Sequence, residues 1–229
     1  MNRSESTVLH GSAMRTARLV GRSVYGLLNR LAAVLILLMI SPLLVYIGYR
    51  IWRDDGAPLL FSQYRIGQHG KLFRCFKFRS MVRDADAALA RLLATDAAAK
   101  AEFDATHKLR NDPRISSIGA VLRRTSLDEL PQLLNVARGD MYLVGPRPIG
   151  FHEVRHYGEV VRQSGGKPVH YLSVKPGITG LWQVSGRSNT TFELRVALDQ
   201  AYVEHHSVWN DIVILFKTIR VVAVREGAV

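Results

Sequence analysis

The run Ser126-Leu127-Asp128-Glu129-Leu130-Pro131-Gln132 sets two carboxylates side by side, and Gly145-Pro146-Arg147-Pro148 follows soon after. Adjacent carboxylates repel each other unless positive charge lies between their oxygens, and Mg²⁺ carrying a diphosphate would supply it. One carboxylate is then free to act as a nucleophile. Pro146 and Pro148 fix the backbone on both sides of Arg147, so its guanidinium is presented from a rigid loop suited to bidentate phosphate contact. Each motif also has a plainer reading. Ser126 followed three residues later by Glu129 matches a capping box, with Asp128 complementing a helix dipole, and Arg147 could be a surface arginine in an ordinary turn. The residue pattern leaves both pairs of readings open.

Other cations stand at regular spacing. Between Leu59 and Phe78 the pattern reads as a hairpin punctuated by Gly67 and Gly70, whose second strand alternates so that Lys77 and Arg79 share a face. They form a phosphate clamp or a solvated strand edge. Lys175-Pro176-Gly177-Ile178-Thr179-Gly180 and Gln183-Val184-Ser185-Gly186-Arg187 make a second rigid, basic, glycine-punctuated region around Trp182, a core residue or a base contact.

The elements that must position these residues follow from periodicity. From Leu31 to Tyr49 no residue is charged, close to the minimum for a membrane span, but Ser41-Pro42 interrupts it. Arginines flank both ends: Arg15, Arg18, Arg22 and Arg30 before it, Arg50 and Arg53 after it. Such symmetry selects no orientation, so a re-entrant helix-break-helix with both ends on the cytoplasmic side is expected, with a kinked full span as the alternative. No small-residue cleavage site follows to suggest a signal peptide. Asp84 to Phe103 reads as one surface helix, Asn111-Asp112-Pro113-Arg114 breaks the chain, and a short helix through Ile118 delivers Arg123 and Arg124 to the carboxylate pair. After Ser188-Asn189-Thr190-Thr191 a helix carries Leu194, Ala197, Leu198, Ala201 and Tyr202 on one face, and Trp209 to Val222 forms another, suited to lipid headgroups or to a core.

The expected architecture is α+β: a mostly helical single catalytic domain with a short β-hairpin, anchored by an N-terminal re-entrant membrane helix kinked at Ser41-Pro42. It divides into a basic tail (1–22), the membrane element (23–53) and a cytoplasmic catalytic domain (54–229) with amphipathic interfacial helices. At 229 residues and 48% hydrophobic content there is material for one core, and the net charge of +12 calls for an anionic partner. The single Cys75 excludes an internal disulfide, and His205-His206 lacks ligand spacing.

From about Arg22 to Val222 the chain resembles the bacterial sugar transferase family, the monotopic phosphoglycosyl transferases that begin lipid-linked glycan assembly. Nine ordered blocks carry the resemblance: Tyr64-Arg65-Ile66-Gly67, Lys77 to Met81, Asn111 to Arg114, Ser126 to Gln132, Gly139-Asp140-Met141, Val144 to Pro148, Lys175 to Gly180, Gln183 to Arg187, and Asp199 with Tyr202. The short form, with no preceding multi-span region, is similar to rhizobial-type exopolysaccharide initiating transferases that move galactose 1-phosphate. Met141-Tyr142 departs from the family's more usual Met-Ser, a peripheral change.

The resemblance implies that Asp128 attacks the β-phosphate of a UDP-sugar, UDP-galactose or UDP-glucose, releasing UMP, and that undecaprenyl phosphate then takes the phosphosugar. Glu129 would ligate Mg²⁺ beside Asp128, and Arg147 would hold a phosphate, with Lys77, Arg79 and Arg114 as further members of the anionic pocket. The expected setting is the cytoplasmic face of the bacterial inner membrane, with membrane lipid as a partner, no nucleic acid, and a homo-oligomer compatible with the sequence. The alternative is a membrane-tethered basic binding or scaffold protein. It leaves Asp128, Glu129 and Arg147 without a task, and zinc-finger spacing or an aromatic nucleic-acid motif is lacking.

Overall fold

Proline at position 42 supplies no amide to continue a preceding helix, and the chain turns there. Helix α1 (Ser23–Met39) meets α2 (Ser41–Asp55) at 63°. Pro42 lies in the first turn of α2, where a helix has no intrahelical use for the amide it lacks. Ser41 Oγ donates to the Leu38 carbonyl at 2.9 Å, capping a group the bend would otherwise free. The computed structural model describes residues 21, 23–106, 109–163, 169–187 and 190–224. The basic tail, Gly21 apart, and the Ser188-Asn189 start of the penultimate helix lie outside the described residues.

Strands β1 (Leu60–Ile66) and β2 (Leu72–Phe78) pair antiparallel, Leu60 opposite Phe78 and Ile66 opposite Leu72, as the alternation requires. The single helix expected over 84–103 is two, α3 (Ala85–Thr95) and α4 (Ala97–Thr106). Asp96 causes the break: it adopts extended backbone, and its Oδ1 accepts from the amides of Ala98 and Ala99 at 2.9 Å each, starting a new helix. Helix α5 (Ser117–Thr125) follows, then a 3-10 turn over Leu127–Glu129, α6 (Gln132–Arg138), β3 (Tyr142–Val144), α7 (Phe151–Gln163), α8 (Val169–Leu172), β4 (Gly177–Thr179), α9 (Phe192–Glu204) and α10 (Val208–Val224). Strands β3 and β4 form a second, parallel sheet that the sequence does not reveal. Three-residue strands are too short for alternation to register, and a parallel pair leaves no local turn signature.

Four apolar clusters tie these elements together. Ala33 of α1 joins Phe73, Cys75, Leu133, Val136 and Met141, so α1 packs on β2 and α6. Ile47 and Ile51 of α2 join Phe78 and Leu122. Ile149, Tyr157, Val161, Tyr171 and Val196 gather α7, α8 and α9, while Val144, Tyr202 and Ile214 hold α10 to β3. Polar anchors add direction: buried Asn29 accepts the Leu143 amide at 2.9 Å, and Tyr25 donates to Asp211, which also accepts from Tyr202. Tyr25, Asn29 and Ala33 recur every four residues, so one face of α1 packs on the rest of the fold. Its other face, with Leu27, Leu28, Leu31, Leu35 and Leu38, is exposed. No single described helix is long and apolar enough to cross a membrane; the bent α1–α2 pair qualifies only together.

Candidate active site

Ser126 ends α5 in the left-handed region at φ 57°, a conformation that costs a non-glycine residue of the order of 1 kcal/mol. Its side chain makes no cap bond, which sets aside the capping-box reading; Pro131 is the N-cap of α6. The reversed backbone starts the 3-10 turn, whose Leu127 joins Leu130 against the Phe78–Leu122 cluster. With the leucines held inward, Asp128 and Glu129 are left to face a basic cleft.

Glu129 Oε1 receives Lys77 Nζ at 2.6 Å and Arg147 Nη2 at 3.2 Å, and Asp128 Oδ2 lies 3.9 Å from the same lysine nitrogen. Burial opposes ionisation at Glu129, but Arg147 and Lys77 outweigh it and bring its pKa down to about 2. Asp128 goes the other way: burial raises its pKa above the ordinary carboxylate value, and neighbouring Glu129 adds to the rise against Lys77, Arg123 and Arg147. The surroundings thus shift the two carboxylates in opposite directions. Arg187 experiences the same charges, its pKa lowered chiefly by burial while Glu129 and Asp128 oppose the fall.

Buried Asn135 fixes Lys77. Its Oδ1 accepts the Phe76 amide at 3.0 Å and its Nδ2 donates to the Arg74 carbonyl at 2.6 Å, locking β2 onto α6 one residue from the lysine. Arg147 is fixed by its loop. Gly145 donates to Thr179 O and Gly177 to Pro146 O, both at 2.9 Å. A β-carbon on Gly177 would overlap the Gly145 amide, so only glycine permits this approach. Tyr171 Oη donates to the Arg147 carbonyl and accepts the Ile149 amide, each at 3.0 Å, and Trp182 lies under the guanidinium at 5.6 Å. Pro146 and Pro148 are buried supports of this loop.

Arg79 and Arg114 are placed elsewhere. Arg79 is buried, donating to the carbonyls of Asp55 and Gly56 at the end of α2 and pairing with Asp55 at 3.4 Å. It follows β2 rather than continuing it, so the face shared with Lys77 is lost. Arg114 pairs with Asp112 at 2.7 Å. The structure therefore brings together Asp128, Glu129, Lys77 and Arg147, with Arg187 alongside.

A buried ionic network behind Arg147 was not singled out by spacing. Glu153 accepts from Arg65 at 3.0 Å, Arg195 at 2.9 Å and the Gly150 amide at 2.7 Å. Arg195 covers the Trp182 ring at 5.1 Å and approaches Asp199 at 3.9 Å. Burial pushes Asp199 up to about 7, against Arg195, Arg147 and an amide bond from Arg147. Arg65 and Glu153 lie 88 residues apart, and the i, i+4 spacing of Arg195 and Asp199 was the one local signal.

The carboxylate pair fits a hard cation. Lys77 and Arg147 both donate to Oε1 of Glu129, so neither of these hydrogen bonds uses Oε2, and Asp128 adds a second oxygen donor. Among the described residues there is no cluster of three or more potential ligands. Mg²⁺ is commonly held by one or two carboxylates with substrate phosphates completing its shell, and Asp128 and Glu129 would supply those carboxylates.

Comparison with known sequences gives a consistent pattern. The profile of the family described as bacterial sugar transferase matches residues 21–225. The chain is 48% identical over 216 residues to the undecaprenyl-phosphate galactose phosphotransferase of Salmonella typhimurium, covering 94% of this chain and 43% of that protein. It is 44% identical to the exopolysaccharide production protein ExoY of Rhizobium meliloti, covering 86% and 84% of the two chains. Against the UDP-glucose:undecaprenyl-phosphate glucose-1-phosphate transferase of Escherichia coli identity is 40%, covering 82% of this chain and 37% of that one. The chain thus spans less than half the length of the first and third of these relatives, and most of ExoY.

Proposed function

Since this chain belongs to the bacterial sugar transferase family, we propose that it transfers a hexose 1-phosphate, galactose or glucose, from a UDP-sugar to undecaprenyl phosphate. The observation that carries this reading is the asymmetry of the pair: Glu129 clamped by Lys77 and Arg147, Asp128 beside it without a hydrogen bond to either. A structural ion pair needs only one of the two carboxylates. The asymmetry supports Asp128 as the nucleophile.

In the first step an Asp128 carboxylate oxygen attacks the β-phosphorus of the UDP-sugar. The bridging bond to the α-phosphate breaks, UMP leaves with the electron pair, and the sugar phosphate stays as an acyl phosphate on Asp128. In the second step an oxygen of undecaprenyl phosphate attacks the same phosphorus, forming the lipid diphosphate sugar and regenerating the carboxylate. Two displacements let a soluble donor and a lipid acceptor use one cleft in turn. Arg147, preorganised by Tyr171 and the glycine crossing, would meet the charge on the transferring phosphate without reorganising. Lys77 would orient the donor and favour ionised Asp128. Mg²⁺, held by Glu129 with Asp128, would neutralise the diphosphate so that an anion can approach it.

The relatives include both a galactose and a glucose transferase, which supports a hexose without choosing its epimer. The exposed leucines of α1 and the bend at Ser41-Pro42 support insertion of α1–α2 into one leaflet of the bacterial inner membrane, with the cleft on the cytoplasmic face. The test is Mg²⁺-dependent UMP release from UDP-galactose and UDP-glucose with undecaprenyl phosphate, by protein in nanodiscs. Release with one sugar preferred supports the proposal. A folded protein that releases no UMP from either donor returns the chain to the membrane-tethered binding or scaffold reading.

A further inference from the structure

Away from the cleft, the last turns of α2 and the first turns of α5 border a groove of about 760 Å³. Tyr46, Tyr49, Arg50 and Arg53 line one wall, and Ser117, Ile118 and Val121 line the other. The first four follow i, i+3, i+4, i+7 spacing, so they form one helical face, beside the Ile47 and Ile51 face that packs on Leu122. Arg50 is steadied by Tyr46, to whose hydroxyl it donates at 2.9 Å. Among the described residues neither Arg50 nor Arg53 forms an ion pair, since the adjacent Asp55 is engaged by Arg79 and Arg83. The one acid on the wall is Asp54, leaving two guanidinium groups against one carboxylate.

We propose that this α2–α5 groove binds the phosphate headgroup of a bulk anionic phospholipid. The choice of occupant follows from the order of residues along α2. Exposed Leu43 and Val45 come first, then exposed Tyr46, Tyr49 and Trp52, with Arg50 and Arg53 among them. An apolar turn, an aromatic band and arginines in succession match acyl chain, interface and headgroup depth. A free anion would explain the arginines but not the exposed aromatic rings. The site would fix how deep α2 lies and hence how the domain is tilted over the bilayer. It rests on the membrane reading proposed above.

The test is flotation of the full chain with phosphatidylcholine vesicles, with and without phosphatidylglycerol, comparing wild type, Arg50→Gln/Arg53→Gln and a control pair, Arg91→Gln/Arg155→Gln. Far-ultraviolet circular dichroism establishes that each variant folds, and UMP release in detergent establishes that its cleft is intact. Wild type should bind neutral vesicles and gain affinity on anionic ones. The groove variant should keep neutral binding and lose roughly fivefold of that gain per arginine, with the control pair losing clearly less. Equal losses in both pairs, or none in the groove pair, would overturn the site in favour of diffuse attraction. Displacement by traces of undecaprenyl phosphate would overturn the assignment to bulk lipid. Absence of binding to neutral and anionic vesicles alike would instead remove the membrane reading itself, and the site with it.

Discussion

At the residue scale, the two neighbouring carboxylates are separated in role by what touches them. Glu129 is held ionised by Lys77 and Arg147, and Asp128 is buried with weaker compensation. Replacing Glu129 with Gln removes the anion that pushes Asp128 up, so the acid limb of the pH–rate profile should move to lower pH while the rate falls. It should also destabilise the fold by of the order of 1–2 kcal/mol at neutral pH, read by chemical denaturation, because two half-buried cations lose their shared partner. The sign follows from the depressed pKa: the stabilisation exists above the unfolded carboxylate value and is lost as pH falls toward about 2. Asp199 has the opposite sign. Its folded value of about 7 exceeds the unfolded one, so its contribution is present below the ordinary carboxylate range and fades as pH rises through 7. Asp199→Asn should therefore flatten the dependence of Tm on pH across that window, raising Tm most at pH above 7. Arg147→Ala should lower kcat roughly 100-fold, the scale of losing one preorganised donor.

At the element scale, the cleft depends on close backbone contacts. A β-carbon on Gly119 would run into the Ser80 carbonyl where α5 crosses the end of β2. Gly119→Ala should cost about 1–3 kcal/mol in denaturant unfolding, since neither backbone can yield freely. Asn135→Ala would orphan the Phe76 amide and the Arg74 carbonyl, so about 2–3 kcal/mol should be lost together with activity, through displacement of Lys77. What the sequence makes legible tracks the range of the interaction that fixes each element. The hairpin, α5, α9, α10 and the bend at Pro42 are set by local alternation, periodicity and a missing amide, and the structure has all of them. The break at Asp96 was hidden because alanine on both sides favours helix, and one side-chain cap overrides it. The β3–β4 ladder and the Arg65–Glu153–Arg195 network depend on contacts between distant segments, which no window of sequence contains. At the cleft, Asp128, Glu129 and Arg147 stand out by type and spacing. Only the tertiary arrangement separates Lys77, which joins them, from Arg79, which ties down α2.

At the scale of the whole molecule, one face of α1 is bound to the rest of the fold through Tyr25, Asn29 and Ala33, and the opposite face presents leucines. A domain docked this way cannot move freely relative to α1, so under the proposed membrane insertion the carboxylate site would keep a fixed height above the bilayer. Leu35→Arg/Leu38→Arg should move the protein from the membrane pellet to the supernatant while leaving its circular dichroism unchanged, because both side chains are exposed. The central claim concerns a covalent bond on one atom, and peptide mass spectrometry tests it most directly. Protein in nanodiscs is incubated with Mg²⁺ and UDP-galactose or UDP-glucose without lipid acceptor, then quenched and digested. The account predicts a gain of one hexose phosphate on the peptide containing Asp128, absent from Asp128→Asn and discharged by undecaprenyl phosphate. Turnover by the wild type with no adduct, or full turnover by Asp128→Asn, would contradict it.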